Sequence, residues 1–227
     1  LGIEREFIAP IRPAVVVWVF FEGNDLRDLN RERTHEILPS YLEPGFTQGL
    51  RDLTPALADQ LRDQVIQMRE EEAARAAGAR RASETARQRR ESIAGWLRLT
   101  ELRSRVRELG KSRAQPQPYD PATFEEVAAR MRDDVAGWGG TLLFAYMPSR
   151  RRFADASTAN PHRDSILAQV EDLGIPVIDL YEPLSAHSDP LSLYPFRIEN
   201  HLNAEGYELA AQAVKEGIKA HLATVIE

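Results

Sequence analysis

An unbroken apolar run, Ala14 to Phe21, stops at Glu22-Gly23-Asn24-Asp25-Leu26, and this is the feature that most restricts the possible folds. Apolar residues on both faces suit a strand buried on both sides, as in a parallel sheet, rather than a half-exposed antiparallel one. Two further short apolar runs, Thr141 to Tyr146 and Pro176 to Leu180, follow glycine-containing breaks and predict two more parallel strands.

Between and after these runs the spacing turns helical. Thr54-Pro55, Asp120-Pro121 and Asn160-Pro161 each place a capping residue before a proline, which predicts three helix starts. A last helix is expected from near Asn203, running Ala204 to about Val225, with Leu209, Ala213, Val214 and Ile218 on one face. Strands alternating with helices imply an α/β protein with a parallel sheet covered on both faces.

Residues 50–112 do not belong to a minimal domain of that kind. Leu53, Leu57, Leu61, Val65 and Met68 step at helical spacing, as do Leu99, Leu102, Val106 and Leu109. Residues 69–91 between them carry alanine and charge but no large apolar side chain. Alanine buries too little area to hold a core, so a helical hairpin with a solvated tip is expected. One continuous helix is the alternative. Pro116 and Pro118 mark the return to the sheet.

Two segments at opposite ends of the chain carry chemistry. In an open α/β sheet, loops at the carboxyl ends of strands converge on one crevice. Gly23-Asn24-Asp25 follows the first strand, and Glu199-Asn200-His201-Leu202-Asn203-Ala204-Glu205-Gly206-Tyr207 precedes the last helix. Asn24 and His201 are therefore expected to face the same crevice. An amide that donates to an oxyanion and an imidazole that activates a hydroxyl are two parts of a hydrolase.

These residues resemble the SGNH (GDSL-type) hydrolases. Gly23-Asn24-Asp25 resembles the family's Gly-x-Asn-Asp block, and His201 with the string after it resembles the final Asp-x-x-His block. The resemblance covers residues 10–26 and 140–225. It implies a flavodoxin-like α/β fold over 1–227, with 50–112 as a helical insertion. It further implies an ester hydrolase or O-acyltransferase acting on an acylated small molecule, lipid or carbohydrate, with His201 as general base and Asn24 as oxyanion donor. Glu199 would orient His201, with Asp189 or Asp179 as lesser candidates, and Gly23 and Asp25 would contact substrate. The chain departs from the family pattern where Ile198 and Glu199 stand in place of aspartate.

The family's nucleophile block lies before the Asn24 block, and residues 1–13 contain no serine. The nucleophile is expected upstream of Leu1, and the 227-residue chain alone is expected to be inactive. Ser149 is the one internal candidate. A non-catalytic binding or scaffolding module of the same fold is the alternative.

Composition narrows the remaining classes. There is no cysteine, hence no disulfide frame or thiol nucleophile. No run of about 18 apolar residues is present, so the chain is expected to be soluble. The compartment stays open, and an upstream signal or anchor would fit an extracytoplasmic site. The five histidines are scattered and no glycine-rich loop follows a strand, so neither a metal nor a nucleotide cofactor is expected. Net charge is −6, against general nucleic-acid binding. Residues 75–113 nonetheless hold twelve Arg or Lys against four Glu, a surface suited to a partner contact.

Overall fold

A computed structural model describes residues 1–53, 67, 119–155, 157 and 159–226. The chain divides into two compact units, Leu1–Gln48 with Gln115–Glu227, and Gly49–Ala114. In the second unit the N–H groups of Asp52 and Leu53 both donate to the Gly49 carbonyl, opening a helical turn. The hairpin expected over 50–112 otherwise lies outside the described residues, as do the Thr54-Pro55 start and the basic stretch 75–113.

The first unit is built on three parallel strands in the order β1-β2-β3: β1 (Val15–Phe21), β2 (Thr141–Met147) and β3 (Val177–Asp179). All three predicted strands are present. Val15 pairs with Thr141 through to Phe21 with Met147, and Phe144 to Tyr146 pair with Val177 to Asp179. β2 lies in the middle, and Leu142 to Tyr146 are all buried. That is why it reads as a continuous apolar run rather than an alternating one.

Alternate residues of the strands feed two cores. Val16, Phe20, Leu142, Phe144 and Tyr146 face α2 (Pro121–Gly137) and α4 (Arg163–Asp172). Aromatic rings dominate there: Trp18 stands edge-on to Phe144 at 5.1 Å between centroids, and Phe20 stacks on Phe144 at 5.6 Å. The other face, with Ala145, Val17, Met147 and Ile178, packs on α5 (Tyr181–Ser185) and α6 (Ala204–Ile226). Two further short α-helices are α1 (Asp25–Glu32), directly after β1, and α3 (Arg150–Ala154), after β2.

Capping explains where the helices begin. The Asp120 side chain accepts from the Thr123 N–H and Pro121 opens α2, as expected from the sequence. The Asn160-Pro161 start does not hold: α4 begins at Arg163, with His162 at its cap. Asn160 instead bridges to the His162 N–H, forming an Asx turn, while its own N–H goes to Glu22 and its carbonyl to Arg152. The long-range bond to Glu22, with the Asx turn and the Arg152 bond, holds the residue outside the helix. Asn203 caps α6 through the Gly206 N–H at 3.0 Å, and its amide donates to the Ser192 carbonyl. Gly217 lets α6 approach the sheet, because a Cβ there would lie 2.7 Å from the Ile178 side chain. Among the described residues no helix is long and apolar enough to cross a membrane.

Phe144 is fully buried against three other rings, those of Trp18, Phe20 and Phe124. Phe144→Ala should destabilise the unit by about 3–5 kcal/mol, since packed walls collapse only partly into the cavity. Urea unfolding followed by tryptophan fluorescence measures the loss.

Candidate active site

The carboxyl end of β1 is held by one carboxylate. Glu22 continues the ladder, its N–H donating to the Met147 carbonyl at 2.9 Å. The residue is 3% exposed, yet its carboxylate accepts four hydrogen bonds. Ser149 N–H donates to Oε2 at 2.9 Å and Asn160 N–H to Oε1 at 2.8 Å. Arg152 adds Nε to Oε2 at 3.1 Å and Nη2 to Oε1 at 2.8 Å. A buried carboxylate with this many donors, including a two-pronged guanidinium, is fully satisfied. It ties the end of β1 to the loop after β2 and to the approach of α4.

Next to it lies a second ion pair. Arg163 bonds to Asp179 at the end of β3, and its guanidinium lies over the Tyr146 and Tyr181 rings at 5.7 and 5.8 Å. Arg152 lies over Tyr181 from 5.9 Å. Much of the crevice above β2 and β3 is thus occupied by charged pairs and rings. Burial and the Glu22 charge push the Tyr146 hydroxyl far above its usual range, so it stays neutral.

The open part of the crevice lies above β1. A pocket of about 280 Å³ is lined by Val19, Phe21, Asn24, Met147, His201 and Tyr207, among others. Asn24 and His201 therefore line one pocket. Their side chains arrive by different routes. Asn24 stands at the cap of α1, and its Nδ2 donates to the Asp28 carboxylate one turn along that helix. His201 is exposed and its ring stacks on Phe21, with centroids 5.9 Å apart and planes inclined by 28°. Gly23 makes room for this, because a Cβ there would sit 2.4 Å from the Phe21 ring. A residue with any side chain would displace Phe21 from beneath His201.

The chain reaches His201 through strained backbone. Phe196 and Arg197 are consecutive left-handed residues, with φ of 54° and 60°. Such geometry costs roughly 1–2 kcal/mol per non-glycine residue. Arg197 is held by the Asp189 carboxylate.

The other residues singled out by sequence lie elsewhere. Glu199 is exposed, and no hydrogen bond or ion pair joins it to His201 among the described residues. Asp189 is engaged by Arg197, and Asp179 by Arg163. Gly23 and Asp25 frame the turn without lining the pocket. Asp25 takes the Phe21 N–H at 2.7 Å, a bond that shapes the turn from β1 into α1. Ser149 is buried, offers its N–H to Glu22 and is absent from the pocket lining. Nor does any serine, threonine or cysteine line the pocket among the described residues. No cluster of His, Asp or Glu suited to a metal ion occurs among them.

Sequence reasoning overlooked Glu22, Arg152 and the Phe21 ring. The signal for Glu22 was present: an acidic residue fused to the end of an apolar strand cannot easily reach solvent, so it needs a buried cation. Its partner, 130 positions away, carries no such mark. No family model, curated protein or solved structure matches the chain.

Glu22→Ala should cost about 3–5 kcal/mol, because it leaves Arg152 buried without its counter-charge and two N–H groups unpaired. Chemical denaturation measures it, and the further loss of Arg152→Ala in the double variant should be much smaller than in the wild type. Asp25 offers a pH test. Burial, the leading cause, raises its carboxyl from 3.8 to about 6. Between these values the folded chain holds a proton that the unfolded chain releases, so stability falls as pH rises through that window. Asp25→Asn keeps an acceptor for Phe21 and removes the ionisation. It should raise the melting temperature at pH 7, leave it nearly unchanged at pH 4, and flatten the pH dependence between.

Proposed function

We propose that this chain carries the oxyanion donor and general base of an SGNH (GDSL-type) ester hydrolase or O-acyltransferase. The supporting observation is that Asn24, from the end of β1, and His201, from the turn before α6, line one pocket at the carboxyl edge of a parallel sheet. The strand order supports the flavodoxin-like form of that fold, in which consecutive parallel strands lie side by side beyond the switch point.

In this mechanism a serine hydroxyl attacks the ester carbonyl while His201 accepts its proton. The carbonyl carbon becomes tetrahedral and its oxygen takes the negative charge. Asn24 donates to that oxygen. An amide nitrogen has two hydrogens, and Asp28 engages the amide nitrogen and thereby fixes its rotamer. The other is then directed at the ligand, so Asp28 acts as a positioning residue. His201 returns its proton to the departing alcohol, and water or an acceptor hydroxyl repeats the sequence to release the acyl group. Phe21 supports the imidazole from below. Glu199 is assigned to orient it, closing on His201 when substrate binds, since catalytic hydrogen bonds often tighten only in the complex.

The serine comes from outside the described lining of the pocket. Substrate class extends to acylated small molecules, lipids and carbohydrates. A second reading, a binding module of the same fold without catalysis, is favoured by the absence of serine and threonine from that lining and of a Glu199–His201 bond among the described residues.

The test is ester hydrolysis by the intact natural protein, using p-nitrophenyl acetate. His201→Ala should abolish turnover, and Asn24→Ala should lower kcat by ~10²–10³ with little change in KM. The 227-residue chain alone should show no saturable turnover. Full activity in both variants of the intact protein would reject the assignment, and ligand binding without turnover would favour the module. Turnover by the short chain that is lost in Ser149→Ala would point to a different nucleophile.

A further inference from the structure

The loop that carries His201 is fixed at both ends and exposed between them. At its start Tyr194 is buried, and its hydroxyl donates to the Pro148 carbonyl. At its end Leu202 is buried, and the Asn203 N–H donates to the Leu193 carbonyl at 2.8 Å. Gly206 lets the first turn of α6 lie against that base, because a Cβ there would meet the Leu193 carbonyl at 3.0 Å. Residues 196–201, between these ends, are all exposed.

The backbone inside the loop is strained, and little opposes its release. Phe196 and Arg197 both carry positive φ, at a cost larger than one solvent-exposed ion pair returns. The ion pair present is the two-pronged one from Arg197 to Asp189, whose side chains are 58% and 42% exposed. The Arg197 N–H donates to the Tyr194 carbonyl at 2.9 Å, but the other bonds are long. Arg150 Nη1 reaches the Arg197 carbonyl at 3.3 Å, and the Ile198 and Glu199 N–H groups share the Pro195 carbonyl at 3.3 Å each. Phe196 is 87% and Ile198 47% exposed, so apolar area on this loop gains from any cover.

We infer that, given the acyl-transfer reading of the site, Arg197 and Asp189 are positioning residues. Their ion pair is a latch that keeps the left-handed turn at Phe196 and Arg197, and with it holds Glu199 away from His201. Release of the latch lets both residues return to negative φ. Tyr194 and Leu202 stay anchored, so the rotation falls on Ile198, Glu199 and Asn200. Glu199 and His201 are two positions apart, at most ~7 Å of extended chain, so reorientation alone brings carboxylate and imidazole within reach. A ligand shifts such an equilibrium only through contacts that differ between its states. A bound ester supplies them through the apolar surface it offers to Phe196 and Ile198.

Asp189→Asn breaks the latch and keeps the size of the side chain. The readout is the titration of His201 in the intact natural protein without substrate, followed by NMR of isotope-labelled histidine and assigned with His201→Gln. Removing a carboxylate by itself lowers a histidine midpoint, so a rise has to come from another carboxylate that arrives. The midpoint should rise by ~0.5 unit, a population-weighted share of the about one to three units that a close opposite charge gives. Adding Glu199→Gln should cancel the rise. Of the side chains lining the pocket, Tyr207 of α6 is the only other titratable one among the described residues; Asp28 is bonded to Asn24, and Glu205 faces His187 at 3.4 Å. With p-nitrophenyl acetate, kcat/KM of Asp189→Asn should rise about two- to fivefold, the range an exposed ion pair spans, and only with Glu199 present. Thermal melting shows whether each variant is folded; should Asp189→Asn not be, Arg197→Gln compared with and without Glu199→Gln decides. A His201 midpoint unchanged or lowered in Asp189→Asn overturns the latch, as does a rise that persists with Glu199→Gln. Full hydrolysis in His201→Ala rejects the acyl-transfer reading instead, and the titration still shows whether the ion pair governs the approach of Glu199.

Discussion

The Glu22–Arg152 pair is the interaction on which the site depends. A carboxylate with 3% exposure would be intolerable alone, and it is stable because every lone pair that matters is met by a donor. Its four bonds reach two further stretches of chain, Ser149 to Arg152 after β2 and Asn160 before α4. They set where the loop after β2 turns, where Asn160 sits, and so where α4 starts. Because Glu22 is directly bonded in sequence to Phe21 and Gly23, the same contact fixes the position from which Asn24 and α1 depart.

Around that anchor the two halves of the carboxyl edge have different characters. Over β2 and β3, arginines stack on Tyr146 and Tyr181 and pair with Glu22 and Asp179, filling the space with charge and rings. Over β1 the space is open and lined with apolar side chains, with one amide and one imidazole at its rim. The acyl transfer proposed above, a reaction on a neutral carbonyl, would use this half. In that proposal apolar walls would limit the water around developing charge, which strengthens the few polar groups at the rim.

Much of the fold was legible in advance. The three strands follow from unbroken apolar runs, and α2 and α6 from a cap, a proline or a periodic face, all of which act within a few residues. The departure at Asn160 has a clear reason. A local capping signal, worth about 1 kcal/mol, was overridden by a long-range bond to Glu22 together with a shorter-range one from Arg152. The site was legible in part. Asn24 and His201 could be placed because both lie at carboxyl ends in a parallel architecture. The roles of Phe21, Gly23 and Asp28 could not, since each depends on which rotamer meets which neighbour.

The sequence by itself determined the class of the molecule: which runs are buried strands, where the last helix starts, and which end of the sheet carries polar groups. These are consequences of hydrophobic periodicity and of capping, both short-range. Only the tertiary structure decided that Glu22 is neutralised by Arg152 and that the Phe21 ring lies beneath His201. The partners of this buried charge and the support of this ring are set by packing between segments more than a hundred residues apart. No local pattern encodes them.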